Sequence, residues 1–470
     1  MADSTEIRNI PEIRSLDARR ELIRIPPELD VPLTPRIRRL MDTRAFRRLR
    51  HISQLSLVSL VYPAAQHTRL EHSLGVYRLS LLVLRHLSHQ PGFSELVDAR
   101  SATRFILAAL LHDLGHWPFA HIVEDLHIPG VATHEEVAIR HLNTPEVDSI
   151  LRNEFDVSPD EVATLIDGHA IAPEDHTTSL LHSILSGPID IDKMDYLLRD
   201  SLHAGVPYGR NYDQPRLLAS LCLNRDRNGI AISEKGRTAA EMLVFARYVM
   251  FSEVYWHHAV RSATAMFQRA VWRLQDQISM SETMTSGDTE SIASLRRVAQ
   301  GTSAASLLAG LFGDHRRLYK RGAQFSPFEN PEIFFRIAGH SYPWLVQLGE
   351  RISRRISVQI RQELPPDAIL IDAPPSHSET AVHVEIFSPD KSDPSGVAGQ
   401  YRSLETVSPI IRTLAGKGCS DLFAGRIERF DDYVKKVRFL VSPKYVEQIR
   451  AIPNLISFIQ EALAEKERSP

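Results

Sequence analysis

Residues 103–121 read TRFILAALLHDLGHWPFAH. An apolar run at helical spacing carries the chain into His112 and Asp113, and Gly115 and Pro118 then stop it. A carboxylate beside an imidazole at the end of so apolar a run is costly unless something pairs with it. A bound divalent cation removes that cost. The spacing predicts a helix over 103–114, with His112 and His116 on one face and Asp113 turned about 100° away.

Histidines and carboxylates stay concentrated on either side of this stretch: His67, His72, His121, His134, Glu135, Asp190, Asp192, Asp195 and Asp200. One such histidine is ordinarily a core residue bonded to backbone; this density beside aspartates points to a metal. His and Asp without Cys form the ligand set of an intermediate-hardness hydrolytic ion, Mn, Fe, Zn, Ni or Co. The two cysteines, Cys222 and Cys419, exclude a disulfide framework and a Cys-based zinc site.

The 470 residues suffice for one large and one smaller domain, and 43% hydrophobic against 24% charged residues builds a sizeable core. A net charge of -3 argues against a surface that tracks nucleic acid throughout, although the Arg-rich 36–50 segment suits phosphates of any kind. No apolar run reaches membrane-spanning length and the N-terminus lacks an apolar signal core, so a soluble cytoplasmic protein is expected.

The fold class expected is mainly α with a smaller C-terminal α+β subdomain. The expected division is a catalytic domain over 1–280 with a short N-terminal β segment, a flexible connection over 281–303, and the subdomain over 304–470. Residues 15–29 read as a strand or hairpin ending at Pro26-Pro27. Helices are expected from Thr34 to about Ser59, over 74–87, 158–167, 180–186 and 190–203, and as one long helix from Gly236 to Gln275. Thr133 with Glu136 reads as a capping box. Alternating β-branched patterns at 383–389 and 437–443 predict a sheet of two to four strands, followed by an amphipathic helix to about Ala462.

Four ordered motifs carry a resemblance: RLEHSLG (69–75), LLHDLGHWPFAH (110–121), HEE (134–136) and IDIDKMDYLLRD (189–200). FRRLRHISQL (46–55) followed by VYP (61–63) adds to them. Over residues 15–265 the chain resembles the HD-domain deoxynucleoside triphosphate triphosphohydrolases, the family of bacterial dGTPases and the human SAM-and-HD-domain dNTPase. The resemblance implies metal ligands at His72, His112, Asp113 and Asp192, with Asp190 the competing carboxylate assigned to helix-start support. It implies catalytic histidines at His116, His121 and His134, with His134 the favoured general acid, oriented by Glu135. Placement in the first turn of a helix is expected to lower the His134 pKa.

Lys193, Arg69 and Arg247 are expected to contact the triphosphate, Gln54 the sugar 3'-OH, and Tyr196 and Asp200 the sugar. The implied reaction yields a deoxynucleoside and intact tripolyphosphate, with Mg accompanying the triphosphate. A homo-oligomer, dimer or tetramer, is expected, and nucleic acid is a less favoured partner.

The chain departs from the family pattern at Asp17–Glu21, where members carry a DPIHG-like turn. It departs again at His258, where activator-regulated members have Lys; Arg48 and Arg50 match the basic residues of the effector region. One alternative is HD phosphohydrolase chemistry on monophosphates, phosphodiesters or single-stranded nucleic acid. The other is a non-catalytic nucleotide-sensing scaffold, which should have lost a ligand.

Overall fold

The computed structural model describes residues 5–90, 92–374, 384–390, 399–414 and 434–464; His383 and Cys419 lie outside them. The architecture is predominantly helical, with mixed sheets in the smaller C-terminal region. No helix among the described residues is long and apolar enough to cross a membrane.

Near the N-terminus, strands β1 (Leu22–Ile25) and β2 (Leu29–Pro32) form an antiparallel hairpin. Pro26 and Pro27 make its turn rather than its end. Three helices then frame the site. Arg69–Leu87 is buried on most faces, and it packs against both Ala99–Leu111 and Ile191–Ala204. Asp98 caps the second, accepting from the Ser101 amide at 2.7 Å; Asp190 caps the third, accepting from the Lys193 amide at 2.6 Å. The third ends at Gly205 in the left-handed conformation.

Several elements differ from expectation for local reasons. The expected 34–59 helix is Pro35–Asp42, because Thr43 turns extended and caps a new turn at Arg44–Arg47. Short 3-10 turns follow at Arg48–His51 and Ser56–Leu60. The expected 236–275 helix is two, Arg237–Met250 and His258–Leu274, separated by a π-helical turn at Phe251–Tyr255. Thr133 caps through the Glu136 amide at 3.4 Å, whereas the reciprocal box forms at Ser158 and Glu161. Within the expected flexible connection, Asp288–Val298 is helical, and Asp288 accepts from the amide and hydroxyl of Ser53 at 3.0 and 2.6 Å.

The C-terminal region carries β5 (Lys320–Phe325), β6 (Ile369–Asp372), β7 (Glu385–Pro389), β8 (Gly399–Ser403) and β9 (Val437–Val441), more than the two to four strands expected. β9 lies between β5 and β6, antiparallel to both. β7 and β8 instead extend the hairpin of β3 (Leu221–Leu223) and β4 (Ile230–Ser233), with β7 parallel to β4.

Two buried apolar clusters result. One surrounds the three framing helices and takes in Val384, Ile386 and Leu404 from the C-terminal region. The other joins the His258–Leu274 helix to β5, β6 and β9, and it includes Trp117, Phe119 and Val123 from the loop after the HD pair. That loop passes from the first cluster into the second, and Phe119 turns it in a left-handed conformation (φ 63°) with its ring 4.4 Å from Phe267.

Gly115 permits this path. A Cβ there would come 1.9 Å from the His134 carbonyl oxygen and 2.3 Å from the Ala138 nitrogen, both backbone atoms. Gly115→Ala is therefore expected to destabilise the fold by about 1–3 kcal/mol, measured by urea unfolding. A midpoint equal to that of the unsubstituted protein would contradict this packing.

Candidate metal centre and catalytic cavity

The site begins with two imidazoles whose outer nitrogens are spoken for. His72 Nδ1 donates to Asp195 Oδ2 at 2.8 Å, and His112 Nδ1 donates to the Ala109 carbonyl at 2.9 Å. Each ring therefore turns its Nε2 inward, and these two atoms lie 3.2 Å apart. Asp192 Oδ1 is 2.9 Å from His72 Nε2 and 3.7 Å from His112 Nε2; Asp113 Oδ1 is 3.6 Å from His112 Nε2.

The contacts of 2.9–3.7 Å that His72 Nε2 and His112 Nε2 make with each other and with the two carboxylates match the spacing around one ion. Bonds of about 2.0–2.2 Å place neighbouring ligands roughly 3.0–3.5 Å apart. The donor set fits a divalent cation: His72, His112 and Asp113 offer ligand atoms that all lie within 4.8 Å of one another, a metal-coordinating HD-type cluster, and Asp192 Oδ1 stands beside its two imidazoles.

Supporting contacts fix the ligands. Arg69 donates to Asp113 Oδ2 at 2.8 Å, and Arg199 grips Asp195 with two bonds of 2.7 and 2.8 Å. Burial alone would raise the Asp113 pKa, but Arg69 and the neighbouring histidines outweigh it and hold the carboxyl well below the usual range. Burial opposes charge on His72 too, yet its bonds to Asp192 and Asp195 push its pKa up to about 10 in the metal-free protein.

A second group of imidazoles stands beside the first. The helix ends at Leu111, so His116 does not share a helical face with His112, contrary to expectation. A turn carries His116 instead toward His121, with Nε2 atoms 3.0 Å apart, and toward His134, with ring centroids 4.2 Å apart. Glu124 accepts from the His134 amide at 2.7 Å and lies 3.1 Å from its Nδ1, while Glu135 Oε1 lies 3.2 Å from its Nε2.

The expected lowering of the His134 pKa is reversed: burial opposes the charge, but the Glu124 bond and its charge prevail and raise the pKa. His116 goes the other way, driven by burial and then by Arg69, to well below the ordinary imidazole value.

Both groups face one cavity of about 460 Å³, also lined by Gln54, Leu55, Arg69, Tyr196, Asp200 and Tyr255. Asp200 bridges His67 Nε2 at 2.8 Å and the Tyr255 hydroxyl, which donates to it at 2.5 Å. The buried Gln54 Oε1 makes no hydrogen bond within the protein. Two residues assigned to the substrate lie outside the lining. Lys193 Nζ is held by Asp190 at 2.7 Å and by the Gly187 carbonyl at 3.1 Å, and the Arg247 guanidinium lies 5.4 Å from the Phe251 ring centroid.

Sequence reading assigned no role to Glu124, Arg199 or Tyr255; it placed His67 and Asp195 only within the concentration of histidines and carboxylates, and Arg48 only as a match to an effector region. The Asp195–Arg199 pair sits at i,i+4 in its helix, a spacing that marks the contact. Arg48 donates to the carbonyls of Leu114 and His116 at 2.7 and 2.6 Å, bracing the turn after the HD pair. Nothing in the spacing signals that.

Comparison with known proteins agrees with this geometry. A model of the HD domain matches residues 69–200, and one of an HD associated region matches 212–421. The chain is 30% identical over 398 residues to the uncharacterized protein MJ1154 of Methanocaldococcus jannaschii, covering 84% of this chain and 76% of that one. It is 35% identical over 236 residues to YwfO of Bacillus subtilis (50% of this chain, 51% of that one). It is 34% identical over 217 residues to the deoxynucleoside triphosphate triphosphohydrolase SAMHD1 of Mus musculus (40% and 32%). The matches thus span about half of YwfO and a third of the mouse enzyme.

Among solved structures, a hypothetical protein from Aquifex aeolicus superposes with a TM-score of 0.65 at 25% identity (92% of this chain, 98% of that one). A Bacteroides thetaiotaomicron phosphohydrolase shares the fold at the same TM-score and 20% identity (90% and 100%). The chain belongs to the HD superfamily of metal-dependent phosphohydrolases. Within it, the relation to SAMHD1-type enzymes is distant.

Asp113→Ala and Asp192→Ala are expected to purify without stoichiometric metal and without turnover, measured by elemental analysis and phosphate release. Full metal content in either would remove that residue from the site. Because His72 carries a proton near neutrality in the metal-free protein, metal binding must expel it. Mn²⁺ affinity is therefore expected to rise by about tenfold per pH unit between roughly pH 6 and 8. Calorimetric titration across that range checks this, and a flat profile would contradict it.

Asp195 has a folded-state pKa of about 2, because Arg199 and His72 outweigh the effect of burial. Its contribution to stability is complete above about pH 4 and is lost as pH falls through about 2. Asp195→Asn should flatten the acid limb of the unfolding curve over that interval.

Proposed function

We propose that the protein hydrolyses deoxynucleoside triphosphates to a deoxynucleoside and inorganic tripolyphosphate. One observation carries the reading: a single cavity gathers the four metal ligands, the histidine trio, and Gln54, Tyr196, Asp200 and Tyr255, a set suited to a sugar. Its volume of about 460 Å³ lies within the usual range of roughly 300–1,000 Å³ for small-molecule sites. Similarity to relatives named as deoxynucleoside triphosphate triphosphohydrolases supports the substrate class.

His72, His112, Asp113 and Asp192 would hold a divalent ion, which would supply Lewis-acid polarisation of a phosphoryl oxygen and lower the pKa of a water. The remaining work belongs to the chain. His116, kept neutral by burial and Arg69, is placed to accept a proton. His134, kept basic by Glu124, is placed to donate one to the departing oxygen. Environments that push two like groups apart in this way define acid and base assignments.

Arg69, already bonded to Asp113, places positive charge at the cavity wall. In this reading Lys193 reaches the triphosphate by leaving Asp190, and Arg247 joins it from the Arg237–Met250 helix. Tyr196, Asp200 and Tyr255 pack against the sugar edge, leaving no room for a ribose 2'-OH, and Gln54 contacts the 3'-OH through its unbonded oxygen.

Incubation with each dNTP and its ribonucleotide, with Mn²⁺ or Mg²⁺, is expected to release deoxynucleoside and unbroken tripolyphosphate from the deoxy forms alone. Survival of every triphosphate, mixtures included, would overturn the substrate assignment and leave monophosphates and phosphodiesters to be tried. His134→Ala should keep the Mn²⁺ held by the His72, His112 and Asp113 cluster and lose activity by about 10²- to 10⁴-fold; loss of that Mn²⁺ in the variant would make His134 structural.

A further inference from the structure

The histidine trio has the geometry of a coordination site in its own right. His116, His121 and His134 offer ligand atoms that all lie within 4.8 Å of one another. Each ring turns its Nδ1 toward a carboxylate. His116 Nδ1 is 3.1 Å from Asp113 Oδ1, His121 Nδ1 is 3.5 Å from Glu124 Oε2, and His134 Nδ1 is 3.1 Å from the same Glu124 oxygen. His134 Nε2 faces Glu135 Oε1, and His116 Nε2 and His121 Nε2 stand only 3.0 Å apart.

Two imidazole nitrogens so placed repel, lone pair against lone pair, unless a proton or a cation sits between them. The same opposition of Nε2 atoms marks His72 and His112 in the first site. A tetrahedral ion with bonds of about 2.0–2.1 Å needs nitrogens roughly 3.3 Å apart, a small adjustment from the 3.0 Å between His116 and His121. Three imidazoles backed by carboxylates are the donor set of a borderline-soft ion such as Zn²⁺, and the fourth position falls to water or to Glu135 Oε1, 3.2 Å from His134 Nε2. His121, with 62% of its side chain exposed, opens the path of entry from solvent.

We propose that His116, His121 and His134 form a second divalent-cation site that takes Zn²⁺ and, once filled, inhibits the enzyme. The first site combines two carboxylates with two imidazoles and accepts harder ions such as Mn²⁺; the trio, all nitrogen, does so poorly. Coordination of the Nε2 atoms removes the lone pairs that proton transfer requires. Inhibition therefore rests on the catalytic roles proposed above, whereas metal binding does not.

The test is equilibrium dialysis of the full chain against Zn²⁺ without nucleotide, with bound metal counted by elemental analysis. The expected result is two Zn²⁺ per chain, falling to one in His121→Ala and in His134→Ala. Co²⁺ in place of Zn²⁺ should give the intense visible absorption of a tetrahedral ion, lost in the same variants. A count of one in the unsubstituted protein, or of two in the His121→Ala/His134→Ala double variant, would overturn the proposal. With Mn²⁺ in the first site, Zn²⁺ beyond one equivalent should lower turnover on the order of 100-fold; undiminished turnover at a count of two would overturn the inhibitory role. If no triphosphate is hydrolysed and two Zn²⁺ still bind, the substrate reading falls and the second site stands.

Discussion

The constraint on which the site depends is the 3.2 Å approach of His72 Nε2 to His112 Nε2, two ring nitrogens held facing each other in a largely buried setting. His112 is oriented locally by the Ala109 carbonyl, but nothing local to His72 enforces its side of the pair. His72 is fixed by Asp195, Asp195 by Arg199, and Arg199 in turn by Glu71 and the Pro26 carbonyl of the N-terminal hairpin. The helices can approach this closely because of Gly75, where a Cβ would lie 1.8 Å from Asp195 Oδ1. An N-terminal turn, the first framing helix and the last are thereby locked around one imidazole, and the two nitrogens they bring together call for a shared proton or a cation in its place.

The second set of histidines is positioned by different means. The loop after Asp113 leaves one apolar cluster and anchors Trp117, Phe119 and Val123 in another, formed with the C-terminal strands. The C-terminal region therefore belongs to the architecture of the cavity. Arg438 on β9 donates to the Trp256 carbonyl at 2.8 Å and pairs with Asp372 on β6. Trp256 follows Tyr255, whose hydroxyl meets Asp200. A rigid sheet and an irregular helix junction thus hold one wall of the cavity, as a pre-organised site requires.

Much of this was legible in the sequence, and the rest was not, for physical reasons. The helices carrying the four motifs were readable because each has a long apolar face, and the Asp190 cap was readable from its type and place. The break at Thr43 was hidden, because a threonine within an apolar-periodic stretch is compatible with continuing a helix. The π-helical turn at Phe251–Tyr255 was hidden for a similar reason: its sequence carries no glycine or proline. The helical pattern through Asp113 also suggested a continuous face for His112 and His116, but the backbone turns after Leu111, and the two imidazoles serve different clusters. Glu124 was invisible as a partner of His134 because the contact is set by how the 116–131 loop returns, ten residues from one to the other.

The central claim is that four side chains from three parts of the fold converge on one ion. The most direct measurement is anomalous diffraction at the manganese edge from crystals of the protein soaked with Mn²⁺. The account predicts a peak within bonding distance, about 2.0–2.3 Å, of His72 Nε2, His112 Nε2 and one carboxylate oxygen each of Asp113 and Asp192. A peak that lies elsewhere, or one that Asp192 does not reach, would contradict it.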